Sequence, residues 1–176
     1  MLKAIWRRLT GRQESHVEQS SAVAQMVATH LTMNVEMLHF DVRQVEPSAA
    51  MPLLGYVYGA CKGVAIAAEF KEPEVYYLAT LRVLREVFPR DVGRLEAVLR
   101  ESWDGIFEQK QFKIGLEPGL SVGISLIVEQ QPKLRDLSAL LFKHYRHGIG
   151  NKDILARMEV SEQNTASLAG ELGRPT

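Results

Sequence analysis

The 176 residues contain little cysteine, no secretory signal and no long apolar run, the features that would indicate an extracellular or membrane protein. The single cysteine, Cys61, cannot form an internal disulfide, which is typical of a reducing compartment, and its apolar surroundings favour a small buried side chain over a reactive thiol. The first residues lack the apolar segment and cleavage site of a secretory signal peptide. The longest apolar run, 52–68, is slightly too short to span a bilayer and contains Lys62. We therefore expect a soluble, cytoplasmic protein.

An excess of one charge is absent as well. The chain has 21 basic and 21 acidic side chains and a formal net charge of zero. A neutral chain creates no overall field to attract nucleic acid, so nucleic acid is not expected as a partner. Residues 1–12 carry four bases and no acid, which leaves the rest of the chain at −4.

Catalytic and cofactor motifs are also missing: there is no Ser-His-Asp order, P-loop or dinucleotide fingerprint. Glu36-x-x-His39 resembles half of a di-iron motif, but such bundles need two of these motifs and two further glutamates. His144 and His147 are predicted to lie in the last turn of a helix, where cations interact favourably with the helix dipole. Lys62 is predicted to bury its stem rather than to act as a nucleophile. We expect no cofactor and no metal.

What the chain does contain is a repeated glycine pattern. Gly55, Gly59, Gly63 and Glu69 recur as Gly115, Gly119, Gly123 and Glu129. Glycines four residues apart lie on one helix face and let another backbone approach, so we expect two glycine-bearing helices to cross near the centre of the protein, in preference to a groove for a flat cofactor. The pattern also suggests two pseudo-repeated helical hairpins, at about 55–88 and 115–147, although coincidence is equally compatible with four identities.

The remaining periodicity predicts an all-α, single-domain bundle of six to eight helices with no strand. Ser15 and Glu18 form a capping box for a helix that either continues to Glu46 or breaks near 32–34, with Asn34 as a new cap. Prolines divide the centre: Pro52 begins the first glycine helix, Pro73 begins the next, and Pro89 ends it. Further along, Asp91 caps a helix that ends near 104–105, and residues 105–117 form a connector. The second glycine helix begins at Pro118 and ends by Pro132. The last helix of the core ends at Gly148. We assign residues 13–148 to the core domain and 149–176 to a polar tail with short helices.

The N-terminal residues 1–12 form a separate basic segment. Leu2, Ile5, Trp6 and Leu9 recur at helical spacing between basic residues, which predicts a short amphipathic helix. Such a helix can contact anionic lipid peripherally, insert into a partner's groove, or dock on the acidic body of its own or a neighbouring subunit; we favour docking on the body.

The tail contains a sequence similar to a known DNA-binding motif. Gly148-Ile149-Gly150-Asn151-Lys152-Asp153-Ile154, followed by Val160-Ser161-Glu162, resembles the helix-turn-helix of LuxR-type regulators, with departures at Leu155 and at Asn164-Thr165. The resemblance implies a transcription regulator that uses residues 148–170. The tail from residue 149 has three bases against four acids, however, and phosphate contacts supply most DNA affinity, so its composition argues against DNA binding.

The function that we expect from the sequence is a helical binding or scaffolding protein that forms homo-oligomers or binds a protein partner. The candidate interaction residues are Leu2, Ile5, Trp6, Leu9, Gly55, Gly59 and Gly63. The alternatives are the helix-turn-helix regulator and, third, an enzyme or cofactor-binding bundle.

Overall fold

Helices make up nearly all of the regular structure in the computed structural model, which describes residues 15–129 and 134–172. Within these ranges there are seven α-helices: α1 (His16–Leu38), α2 (Met51–Ala67), α3 (Pro73–Val87), α4 (Val92–Glu101), α5 (Lys110–Val128), α6 (Leu134–Tyr145) and α7 (Lys152–Leu172). Short 3₁₀ helices lie at Val42–Gln44, Pro47–Ala49, Ile106–Glu108 and Arg146–Gly148. The same residues contain no strand, only an isolated bridge between Phe40 and Ile149. The prediction of an all-α helical bundle is confirmed.

Helix α1 begins where its capping box predicts. Ser15 Oγ accepts from the Glu18 amide (3.4 Å), and the Glu18 carboxylate accepts from the Ser15 amide (3.0 Å). The helix neither breaks at Asn34 nor continues to Glu46, because it ends at Leu38 and His39 adopts a left-handed conformation with φ 48°. Asn34 does not cap a new helix because its side chain is buried and donates to the His30 carbonyl (3.0 Å).

Helix α2 is the buried centre of the bundle. Every residue from Met51 to Ala65 is buried except Lys62, which is half-buried. Pro52 lies in its first turn and the helix ends well before Pro73, as predicted. Helix α5 packs along α2, and α1, α3 and α6 contact it elsewhere. Helix α1 packs chiefly against α3, while α4 packs on α3. Each glycine helix is followed by a helix that packs against it, α3 on α2 and α6 on α5.

The start of α5 differs from the prediction. Residues 105–117 are not a connector, because the helix begins at Lys110 and Pro118 lies inside it. An interior proline removes one backbone hydrogen bond and costs about 3 kcal/mol in a helix that has no other support. Here Phe112 and Gly115, which precede the proline, are buried against α2. Tertiary packing of these turns therefore overrides the local signal of Pro118.

The tail also differs from the prediction. Its described part is one helix of 21 residues, α7, and not a set of short helices. The helix-turn-helix that the LuxR resemblance implied for 148–170 is absent from these residues, because Ser161 and Glu162, near the expected turn, lie inside the continuous helix. No proline interrupts 152–172 and Asn151 Oδ1 accepts from the Ile154 amide (3.2 Å), so local signals favour an unbroken helix once its first turn is capped.

Candidate interaction surfaces

The glycines of α2 face the backbone of α5. Gly55 lies against the carbonyl of Phe112, and Gly59 and Gly63 lie against the carbonyls of Leu116 and Leu120. Both series of residue numbers rise together, so the two helices run parallel. A Cβ atom on any of the three glycines would collide with backbone of α5, which cannot rotate away as a side chain can.

The contact is reciprocal. Gly115, Gly119 and Gly123 of α5 face the carbonyls of Pro52, Tyr56 and Ala60 in α2. A Cβ on Gly119 would lie 3.0 Å from the Ala60 amide nitrogen, and one on Gly123 would lie 2.8 Å from that of Val64. Such approaches bring glycine Cα–H groups to the facing carbonyl oxygens and add weak Cα–H···O contacts. The glycines that the sequence offered as interaction residues therefore form an interface inside the chain.

An apolar surface lies at the C-terminal end of this helix pair. Ile66 of α2 is 46% exposed, and Ile124 and Val128 of α5 are 38% and 67% exposed. Ile66 follows Gly63 by nearly one turn, and a Cβ on Gly63 would lie 2.9 Å from the Ile124 amide nitrogen. The three side chains thus lie on adjacent parallel helices at the same end, and we call them the C-terminal apolar patch.

A cluster of aromatic rings packs over α2 on the side of the 3₁₀ helix Ile106–Glu108. Its members pack edge to face, or tilted in the case of Tyr58 and Phe112, at centroid distances of 4.5 to 5.9 Å, and comprise Tyr58, Tyr77, Trp103, Phe107 and Phe112. Burial raises the pKa of Tyr58 to about 12, with smaller contributions from Tyr76 and Cys61. Because the rings satisfy one another's edges and faces, this cluster acts as packing for the loop after α4.

The residues considered for chemistry are dispersed. Cys61 is fully buried and desolvation raises the pKa of its thiol to about 12, so it stays protonated. Glu36 and His39 are exposed at the end of α1, and His147 Nε2 donates to the Gln44 carbonyl (2.7 Å). Over residues 15–129 and 134–172, no group of three or more His, Cys, Asp or Glu side chains is arranged to hold a metal ion.

A shallow pocket of about 370 Å³ lies between the segment after α1 and the α3–α4 turn. It is lined by Phe40, Asp41, Arg43, Val87, Phe88, Pro89, Arg90 and Asp91, which include none of the residues considered for chemistry. Arg43 binds Asp41 through two 2.8 Å contacts, and this hydrogen bonding lowers the pKa of the Asp41 carboxyl. The charges of Arg43 and Asp41 therefore largely offset each other in the pocket.

The residues that resemble the LuxR motif hold the end of α1. The backbone amide of Asn151 donates to the Leu38 carbonyl (3.0 Å), and its side-chain Nδ2 donates to the Met37 carbonyl (2.9 Å). The Gly150 amide donates to the His39 carbonyl (3.2 Å). A Cβ atom added to Gly150 would lie only 2.9 Å from the same carbonyl oxygen. These residues satisfy carbonyls that the end of α1 leaves unpaired.

Arg146 connects the middle of α7 to α6. Its guanidinium lies over the ring of Phe142, 4.2 Å from the centroid, and donates to Glu162 (2.7 Å), with Glu159 at 3.8 Å. Arg146, which lies just before the residues that resemble the LuxR motif, is thus paired with carboxylates of α7. The predictions for Leu2, Ile5, Trp6 and Leu9 lie outside the described residues and remain predictions.

The fold and its surfaces define an all-α helical bundle built around a parallel pair of glycine-packed helices. No protein-family model, curated protein or solved structure shows significant similarity to the chain. In the part of the chain that the structure describes, no helix combines the length and the hydropathy needed to cross a bilayer.

Proposed function

We propose that this protein is a helical scaffold that self-associates through the C-terminal apolar patch. The observation that carries the proposal is the exposure of three branched apolar side chains, Ile66, Ile124 and Val128, on two neighbouring core helices. Contiguous exposed apolar surface on a folded protein marks interaction sites, because its burial against a partner removes it from water.

The rigidity of the helix pair supports this proposal. The patch is formed by the ends of α2 and α5, which six reciprocal glycine contacts hold together over three turns. A surface on rigid elements loses little conformational entropy when it binds, so a small patch can still contribute useful affinity.

The charge of the chain supports a second copy as the partner. The formal net charge is zero, so two copies approach each other without long-range repulsion. In a twofold dimer the same patch meets itself, and its three apolar side chains are complementary to their own copies. The proposal includes a cytoplasmic location, with which the buried free thiol of Cys61 is compatible.

The test is sedimentation velocity of the full chain over a range of concentrations. We expect a reversible oligomer whose association constant falls at least tenfold in Val128→Glu, because the interface would then bury an unpaired carboxylate. Val160→Glu is the matched control, since Val160 is an exposed valine (56%) on α7, outside the patch. Circular dichroism checks that both variants stay folded. A wild-type chain that is monomeric throughout, or equal weakening by both variants, would contradict the proposal.

The N-terminal segment provides the alternative route to association. A chain that lacks residues 1–12 loses Leu2, Ile5, Trp6 and Leu9 together with four positive charges. If this truncation abolishes the oligomer and Val128→Glu does not, the N-terminal segment is the contact and the patch is not.

A further inference from the structure

A buried histidine joins α1 to α2. His30 is 2% exposed, and its Nε2 lies 3.2 Å from the hydroxyl of Tyr56, which is completely buried. The other ring nitrogen, Nδ1, is buried and has no hydrogen-bond partner among the described residues. The imidazole therefore has one polar contact in a site that water does not reach.

The same joint includes helix α6. Asn34, one turn after His30, donates to the His30 carbonyl and accepts from Ser138 Oγ of α6 (3.0 Å). Asp136, half-buried on α6, acts through space on both His30 and Tyr56. Helix α3 also packs on α1, but no charged group of its described residues acts on the imidazole. Three helices thus meet around one ionisable ring.

We propose that this joint is an acid-sensitive latch, in which protonation of His30 loosens α1 from α2 and α6 and opens the bundle locally. The imidazolium ion carries an N–H on both nitrogens. The proton on Nε2 can be donated to the Tyr56 hydroxyl. Among the described residues, however, the proton on Nδ1 has no acceptor, and no carboxylate is hydrogen-bonded to the ring to offset the buried charge. An opened joint exposes both nitrogens to water and removes this cost.

The direction of the pH dependence follows from the burial of the ring. Desolvation is the larger influence and lowers the pKa of His30 below its ordinary 6.5, while the negative charge of Asp136 raises it in part. The open state therefore binds a proton more readily than the closed state. The closed joint is fully stable above about pH 6.5, and its stability is lost as the pH falls from there toward the lowered pKa. Within that window, each fall of one pH unit increases the open population by up to about tenfold.

Amide hydrogen exchange tests the latch in the full chain. After correction for intrinsic exchange, we expect the opening of α1 around residues 27–31 to become more frequent between about pH 8 and pH 5, the range in which histidines switch. His30→Phe keeps a buried ring without a proton site, and should remove this acid response. His16→Phe, at an exposed position in the first turn of α1, should retain it.

A second variant and a direct titration keep the proposal testable if His30→Phe does not fold. Asp136→Asn removes the carboxylate that favours the imidazolium, so the acid response should become larger. The imidazole proton signals of His30 should titrate below the ordinary histidine pKa of 6.5. An ordinary His30 titration, or an acid response that is unchanged in either His30→Phe or Asp136→Asn, would overturn the proposal.

Discussion

At Gly59 the absence of a side chain decides whether two helices can pack. A Cβ at this position would collide with the Leu116 carbonyl and lie 2.9 Å from the Leu120 amide nitrogen, both of them backbone atoms of α5. We expect Gly59→Ala to destabilise the protein by about 1–3 kcal/mol, because forced separation of the helices outweighs a helix-propensity gain of up to about 1 kcal/mol. Chemical denaturation followed by circular dichroism measures the change.

Gly93 provides the matched control for this prediction. It is also a helical glycine, in the first turn of α4, but a Cβ there would meet no atom within 4 Å. Gly93→Ala should therefore leave stability unchanged or raise it by up to about 1 kcal/mol. If Gly59→Ala stabilises the protein as Gly93→Ala does, the α2–α5 contact is looser than the structure shows.

At the scale of a helix, α2 depends on α6 for its first turn. Its N-cap, Ala50, has no side chain that could accept a hydrogen bond from the helix. The Tyr145 hydroxyl caps the helix instead, since it accepts from the Leu53 amide (3.2 Å) and donates to the Ala49 carbonyl (2.7 Å). One phenol of α6 thereby satisfies two backbone groups at the beginning of the central helix.

Tyr145→Phe tests this dependence. The ring and its contact with Phe40 remain, but the buried Leu53 amide and the part-buried Ala49 carbonyl lose their partner, so we expect a loss of about 1–3 kcal/mol in the free energy of unfolding. Tyr77→Phe is the control, because it makes the same change in a half-buried ring and should alter stability by less than about 0.5 kcal/mol. Equal effects in urea denaturation would mean that the Tyr145 hydroxyl has no special role.

At the scale of the whole molecule, the balance of charge governs nucleic-acid binding. The formal net charge is zero, and Arg146, which lies just before the residues that resemble the LuxR motif, donates to Glu162. We expect no salt-dependent binding of the full chain to mixed-sequence duplex DNA, because there is no excess of bases to release counterions. Fluorescence anisotropy at low salt measures this. Sub-micromolar binding that weakens steeply with added salt would contradict the prediction and favour the alternative, a DNA-binding regulator.

The sequence by itself determined the features that local chemistry controls. The Ser15 capping box and the prolines at positions 52 and 73 act within one helical turn, so the starts of three helices were readable without knowledge of the rest of the chain. The four-residue glycine spacing was equally readable, because glycine in a helix is costly unless close packing offsets it. That the two glycine helices would pack against each other followed from their shared pattern.

Only the tertiary structure decided features that depend on residues far apart in the chain. Pro118 lies inside α5, and not at its start, because Phe112 is buried on α2. The parallel direction of α2 and α5 appears only when the facing carbonyls are known. His30 and Tyr56 are separated by 26 residues, so no local pattern indicates their contact. All three features depend on burial against residues far along the chain, and at Pro118 the free energy of that burial exceeds the local preference.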